Sequence, residues 1–100
     1  MHLTERQKKF LRRQSHDMKP VVSIGDKGIT AGVLGELNSA LEHHELIKVK
    51  VRVGDRDARD VAITELTDKS GAVLISRVGN IAALYKARKK DPKIVLPKPG

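Results

Sequence analysis

The sequence predicts an α/β (α+β) two-layer sandwich, with elements in the order α-β-α-β-α-β-β around a mixed four-stranded sheet. Three observations predict it. Two strand–helix–strand steps follow one another from Val21 to Val78, and such a step runs its two strands in parallel when they share a sheet. Residues 46–53 alternate between two sets, Ile47, Val49, Val51 and Val53 against Leu46, Lys48, Lys50 and Arg52. That pattern belongs to a sheet covered on one face and at least partly wet on the other. Finally, Gly79-Asn80 joins two β-rich runs as a two-residue hairpin, which makes the last strand antiparallel.

Each element has its own warrant. Thr4 followed by Gln7 matches a capping box, with Leu3 placed to staple the first turn, so a helix is expected over about 4–15. On its helical wheel Leu3, Gln7, Phe10, Leu11 and Gln14 share one arc and face the core, while Arg6, Lys8, Lys9, Arg12 and Arg13 form a cationic ridge opposite. Pro20 ends the approach to Val21-Val22-Ser23-Ile24, a short β-branched strand. After the turn Gly25-Asp26-Lys27-Gly28, Thr30 caps a helix running to about His44 with Val33, Leu34, Leu37, Ala40 and Leu41 inward. Gly32 and Gly35 each weaken that helix by about 1 kcal/mol relative to Ala, which a close approach of its backbone to the sheet or to a ligand would justify. The alternating strand follows. Asp55 or Asp57 then caps a third helix to about Lys69, with Ala58, Val61, Ala62 and Leu66 inward and Gly71 as its stop. The hairpin strands are Ala72–Val78 and Ile81–Tyr85. Residues 1–86 thus form a single domain, and residues 87–100 a basic, Pro-rich C-terminal tail expected to be extended or mobile.

Composition narrows the function classes. Leu, Ile, Val and Phe make up 28 of 100 residues, enough for a folded core, and with only Phe10 and Tyr85 as aromatics that core is aliphatic. The absence of Cys excludes a disulfide framework, a thiolate nucleophile and a Cys-based zinc site. No apolar run approaches the ~20 residues of a membrane span, and the N-terminus has no apolar signal region. A cytoplasmic setting without membrane association is expected. The net charge of +8 is uneven. Residues 1–20 hold six bases (Arg6, Lys8, Lys9, Arg12, Arg13, Lys19) against Glu5 and Asp17; residues 86–100 hold six more against Asp91 alone. The middle is close to neutral. Cations gathered at two ends repel one another without serving the core, so a polyanion partner is expected.

The turn Gly25-Asp26-Lys27-Gly28 carries the most specific local chemistry. It joins a strand to a helix N-terminus, where unpaired N–H groups and the helix dipole favour phosphate. Its glycines let backbone approach backbone, and Lys27 adds a cation. It is neither a Walker loop nor a dinucleotide fingerprint, since Ile29 and Thr30 follow Gly28 and a third glycine is missing. Catalysis finds little support. Adjacent His43 and His44 point about 100° apart on a helix and suit one metal ion badly. Asp55, Asp57 and Asp60 read as capping and first-turn carboxylates; a magnesium nuclease built on them is the enzymatic alternative. No cofactor and no metal are expected. With so few aromatics, a base-stacking sheet platform is excluded, and any RNA must be held through phosphates and shape.

Several blocks together resemble the CRM domain family: Leu3-Thr4-Glu5-Arg6-Gln7 with Leu11-Arg12, Lys19 through Thr30, Leu41 through Val51, and Leu84-Tyr85-Lys86. The match is best with the stand-alone bacterial, YhbY-like form and covers nearly the whole chain. The resemblance implies a fold similar to the C-terminal domain of bacterial translation initiation factor three, with sheet order 1-2-4-3. It also implies RNA binding through Gly25, Asp26, Lys27 and Gly28 beside a basic surface, and association with large-subunit ribosomal precursors. The expected function is therefore non-catalytic binding of ribosomal RNA in pre-50S assembly, as a monomer. The expected site comprises Arg6, Lys8, Lys9, Arg12, Arg13, Lys19, Gly25, Asp26, Lys27, Gly28 and Thr30. A general DNA, intron or tRNA binder is the alternative; no recognition helix or dimer seam favours it.

Overall fold

The computed structural model describes residues 2–99; Met1 and Gly100, the outer bounds of the expected domain and tail, lie outside the described residues. Helix α1 spans Glu5–Ser15, strand β1 Pro20–Ile24, α2 Ala31–His44, β2 Leu46–Val51, α3 Arg56–Ser70, β3 Val73–Val78 and β4 Ile81–Tyr85. The sheet order is β1-β2-β4-β3. β1 runs parallel to β2, and β4 is antiparallel to both β2 and β3. All three strands that open a crossover or hairpin therefore run one way, and β4 alone returns, as the connections predict.

The helix ends form where the sequence places them. Thr4 and Gln7 complete a reciprocal capping box at α1. The Thr30 hydroxyl accepts from the Val33 N–H at 3.1 Å, and Asp55 rather than Asp57 caps α3, its carboxylate accepting from the Ala58 N–H at 2.9 Å. Gly71 closes α3 in the left-handed region at φ 76°, where a Cβ is disfavoured. Pro20 is tolerated inside β1 because β1 lies at the sheet edge, with a register shift between Pro20 and Val22.

Two cores flank the sheet. α2 and α3 cover one face, where Leu37, Leu41, Ile63 and Leu66 meet Ile24, Ile47, Val49, Val51 and Leu84. This is the expected two-layer sandwich. The other face is covered only in part: Leu3 and Leu11 of the α1 segment pack on Leu46, Ile75, Ala83 and Tyr85, joined by Ile94 and Leu96 from beyond β4. α1 thus lies across the sheet from α2, and Lys48 and Lys50 hold the uncovered part of its face.

Three packing expectations are corrected. Gln14 is exposed, and Ser15 takes its place among the buried residues, its hydroxyl donating to the Arg12 carbonyl at 3.0 Å. On α3, Val61 is 67% exposed and Ala58 also faces solvent, while Ile63 is buried. Ile63 and Leu66 pack in the core in this rotation, and Asp60 forms an ion pair with Arg77 of β3. Gly32 and Gly35 do not meet the sheet. Both are exposed; a Cβ on Gly35 would meet nothing within 4 Å, and one on Gly32 only the Thr30 hydroxyl at 3.8 Å. β2 also stops at Val51, short of Val53, whose side chain still packs on the core.

Candidate nucleic-acid interface

The turn at residues 25–28 is closed by the Gly28 N–H donating to the Gly25 carbonyl at 2.9 Å. Gly28 sits at φ 71°, a conformation that explains a glycine there. Gly25 has no such need, and a Cβ on it would meet nothing within 4 Å. Asp26 and Lys27 project from the tip, both exposed, and the turn delivers the chain to the exposed first residues of α2. Ala31 and Gly32 present N–H groups that no preceding turn of helix can accept, as at any helix start. The Thr30 hydroxyl oxygen is already occupied as the cap.

Arg6, Lys9, Arg12 and Arg13 of α1 are exposed, as is Lys19; Lys8 is half-buried and lies 3.8 Å from Glu5. The turn and this ridge belong to different elements on different parts of the sheet, and what lies between them decides whether one polyanion can touch both. Arg12, Ser15 and His16 form one wall of a groove of about 430 Å³ whose floor is Lys48, Ser76, Ile81 and Ala83. The Lys48 ammonium donates to the His16 carbonyl at 3.2 Å, tying the end of α1 to β2. Lys50 is the next residue on that face, one pair short of Val51, which sits opposite Ile24 at the foot of the turn. Among the described residues, none of the four strands carries an Asp or Glu. Lys48 and Lys50 therefore lie in a row along β2 between the His16 end of α1 and the strand ends below the turn, on strands without carboxylates, with the exposed Asp17 and Asp26 at the two ends of that row.

The family profile of the CRS1 / YhbY (CRM) domain matches residues 3–86. This chain belongs to that family. The CRM domain here is 41% identical over 96 residues to an RNA-binding protein of Haemophilus influenzae, covering 96% of each chain. It is 42% identical over 93 residues to the "Probable RNA-binding protein PA4753" of Pseudomonas aeruginosa, covering 93% of this chain and 86% of that one. Its fold matches the solution structure of the hypothetical protein SAV1595 from Staphylococcus aureus with a TM-score of 0.82 and 30% identity, over 96% of this chain and 100% of that one.

Other features of the CRM domain bear on catalysis. Asp55 is engaged as a cap and Asp60 pairs with Arg77, so two of the three carboxylates at the start of α3 have separate structural tasks, and Asp57 lies in the first turn of the helix. Among the described residues, no three His, Asp or Glu side chains are grouped to hold a metal ion. The His43 and His44 rings lie 6.1 Å apart and tilted by 54°. No helix among the described residues is long and apolar enough to cross a membrane.

Sequence reasoning passed over two features of the fold. Lys48 and Lys50 were legible as the wet side of a strand, and only the position of α1 ties Lys48 to its end. Glu45 gave no signal: a carboxylate between helix and strand reads as a solvated connector. It is instead fully buried, at φ 63°, with its backbone N–H donating to Leu41 at 2.7 Å. Its carboxylate accepts the backbone N–H groups of Arg88 at 2.7 Å, Lys93 at 2.6 Å and Ile94 at 2.7 Å. Burial alone pushes its pKa up, but these three donors and the Arg88 charge outweigh it and hold the group below its ordinary value of 4.5. Tyr85 beside it is raised above 10.0, first by burial and then by the Glu45 charge. The segment after β4 is thereby anchored, and the Gln7 side chain adds a bond to the Pro97 carbonyl at 3.2 Å.

Proposed function

We propose that this CRM domain is a non-catalytic RNA-binding protein that acts in the cytoplasm, as a monomer, on ribosomal RNA of a large-subunit precursor. RNA as the ligand is supported by the relatives named as RNA-binding proteins and by the surface described above. The observation that carries the reading is the pair Lys48 and Lys50 on β2, within four strands that hold no Asp or Glu, placed between the end of α1 and the foot of the turn. Arg6, Lys8, Lys9, Arg12, Arg13 and Lys19 attract the polyanion over a distance set by salt screening. Gly25, Asp26, Lys27 and Gly28, with Thr30 behind them, then seat one turn of backbone against exposed amides. Contacts of this kind position RNA without reading bases, and shape supplies the selectivity. The ribosomal assignment rests on the resemblance to the stand-alone bacterial form of the family.

Two measurements test it. Neutralising about five phosphates gives a log–log dependence of affinity on salt with a slope of about −3.5 to −4.5. A binding constant that hardly changes between low and moderate salt removes the mechanism. Sedimentation of a lysate through a gradient asks where the protein travels: co-migration with large-subunit precursors supports the assignment, and exclusion from every ribosomal fraction ends it.

A further inference from the structure

We infer that the cleft between the C-terminal ends of α2 and α3 and the segment Lys86–Lys90 is a second phosphate-binding site, which takes a separate segment of RNA. The inference rests on the RNA-binding reading above and extends it to the opposite end of the molecule. The cleft measures about 480 Å³, and five cations line it, Lys69, Lys86, Arg88, Lys89 and Lys90, against the single acid Glu42.

Two of those cations have tasks inside the fold. The Lys86 ammonium donates to the Ser70 carbonyl at the end of α3 at 2.8 Å, and Lys69 pairs with Glu65 at 3.1 Å. Cations are favourable at a helix C-terminus, so these two need no ligand. Lys89 and Lys90 are different. Both are exposed, and among the described residues neither forms an ion pair. They are nevertheless held in place. The loop that bears them begins at Arg88 and returns at Lys93 and Ile94, and the backbone of all three residues is bound by the one Glu45 carboxylate. Asp91 turns the chain at φ 51°, a backbone conformation uncommon outside glycine. A buried carboxylate and a strained turn thus fix two lysines beside two others, where like charges repel. An anion in the cleft relieves that repulsion, and a phosphodiester chain meets several cations at once.

The cleft and the turn at residues 25–28 cannot share one phosphate. Tyr85, just before the cleft lysines, pairs with Leu46 at the start of β2, whereas Ile24, just before the turn, pairs with Val51 at its end. The length of β2 therefore separates them, roughly 16 Å at the usual rise per residue. The domain would hold two RNA segments, one at each end of the sheet.

The test uses the full chain and a double-stranded RNA hairpin. Lys89→Gln with Lys90→Gln is expected to reduce the log–log salt slope by about 1.4–1.8 while the melting temperature stays the same. In the second arm one hairpin is fixed to a bead, protein is added, and capture of a second, labelled hairpin is measured. Wild type should capture it, and the double lysine variant should not, although it still binds the fixed hairpin. A wild-type slope retained by the variant overturns the second site and leaves the first intact. A reduced slope without capture by wild type overturns the two-segment claim. If wild type shows no salt-dependent binding, the RNA-binding reading itself fails.

Discussion

Ile94 donates its backbone N–H to the Glu45 carboxylate at 2.7 Å across a sequence separation of 49 residues. The same carboxylate holds Arg88 and Lys93, so one side chain between α2 and β2 determines the path of a segment that follows the last strand. Ile94 and Leu96 then reach the core under α1, and α1 reciprocates through Gln7. Glu45→Gln keeps the shape of the side chain but turns an amide NH₂ toward backbone donors. Each bond to a charged acceptor is worth about 1.5–3 kcal/mol, so a loss of about 3 kcal/mol is expected. Thermal unfolding should show a fall of more than about 10 °C. Amide exchange at Arg88, Lys93 and Ile94 should rise above that of the sheet; unchanged protection there would mean that the carboxylate does not hold the segment.

The same group predicts an acid dependence. The pKa of Glu45 is lower in the fold than its ordinary 4.5, so its ionised form is stabilised by folding. Its contribution is complete above the unfolded pKa and disappears as pH falls through the folded one. In denaturant titrations the stability gap between wild type and Glu45→Gln should be largest near neutrality and narrow below pH about 4.5. A gap that widens toward acid contradicts this linkage.

The rotation of α3 gives a packing prediction. Ile63 is 4% exposed and Val61 67% exposed. Ile63→Ala should lose about 2–5 kcal/mol through lost burial and the cavity it leaves, whereas Val61→Ala should stay within about 0.5 kcal/mol. Comparable losses at both positions would place the helix in a different rotation.

The two glycines of the turn should part company. Gly28 occupies φ 71°, so Gly28→Asp is expected to lose about 1 kcal/mol from backbone strain alone. Gly25 has open space for a Cβ and no positive φ, so Gly25→Asp should leave the melting temperature within about 4 °C. Gly25→Asp with Lys27→Glu should weaken RNA binding in a protein of wild-type stability. If that variant binds RNA as wild type does, the turn is not a contact.

Much of the architecture was legible because its determinants are local. Thr4 with Gln7, Thr30, Asp55 and Gly71 each satisfy or end a helix within four residues of themselves, and the alternation through Leu46–Val51 marks the two faces of β2 without reference to any other strand. Gln14 and Val61 were misplaced because a wheel gives the spacing of a helix face but not its rotation against the sheet, which the packing of Leu11 and of Ile63 and Leu66 on the strands settles.

By itself, then, the order of residues determined the seven elements, the caps of α1 and α2, the direction of each strand through the lengths of the connections, and the concentration of cations at the two ends. Tertiary structure alone decided that α1 lies across the sheet from α2, that Lys48 is tied to the end of α1, and that the segment beyond β4 is fastened to Glu45. The physical reason is range. Caps, turns and alternation act between neighbours in the chain, whereas the seating of a helix on a face and the burial of a carboxylate depend on groups dozens of residues away.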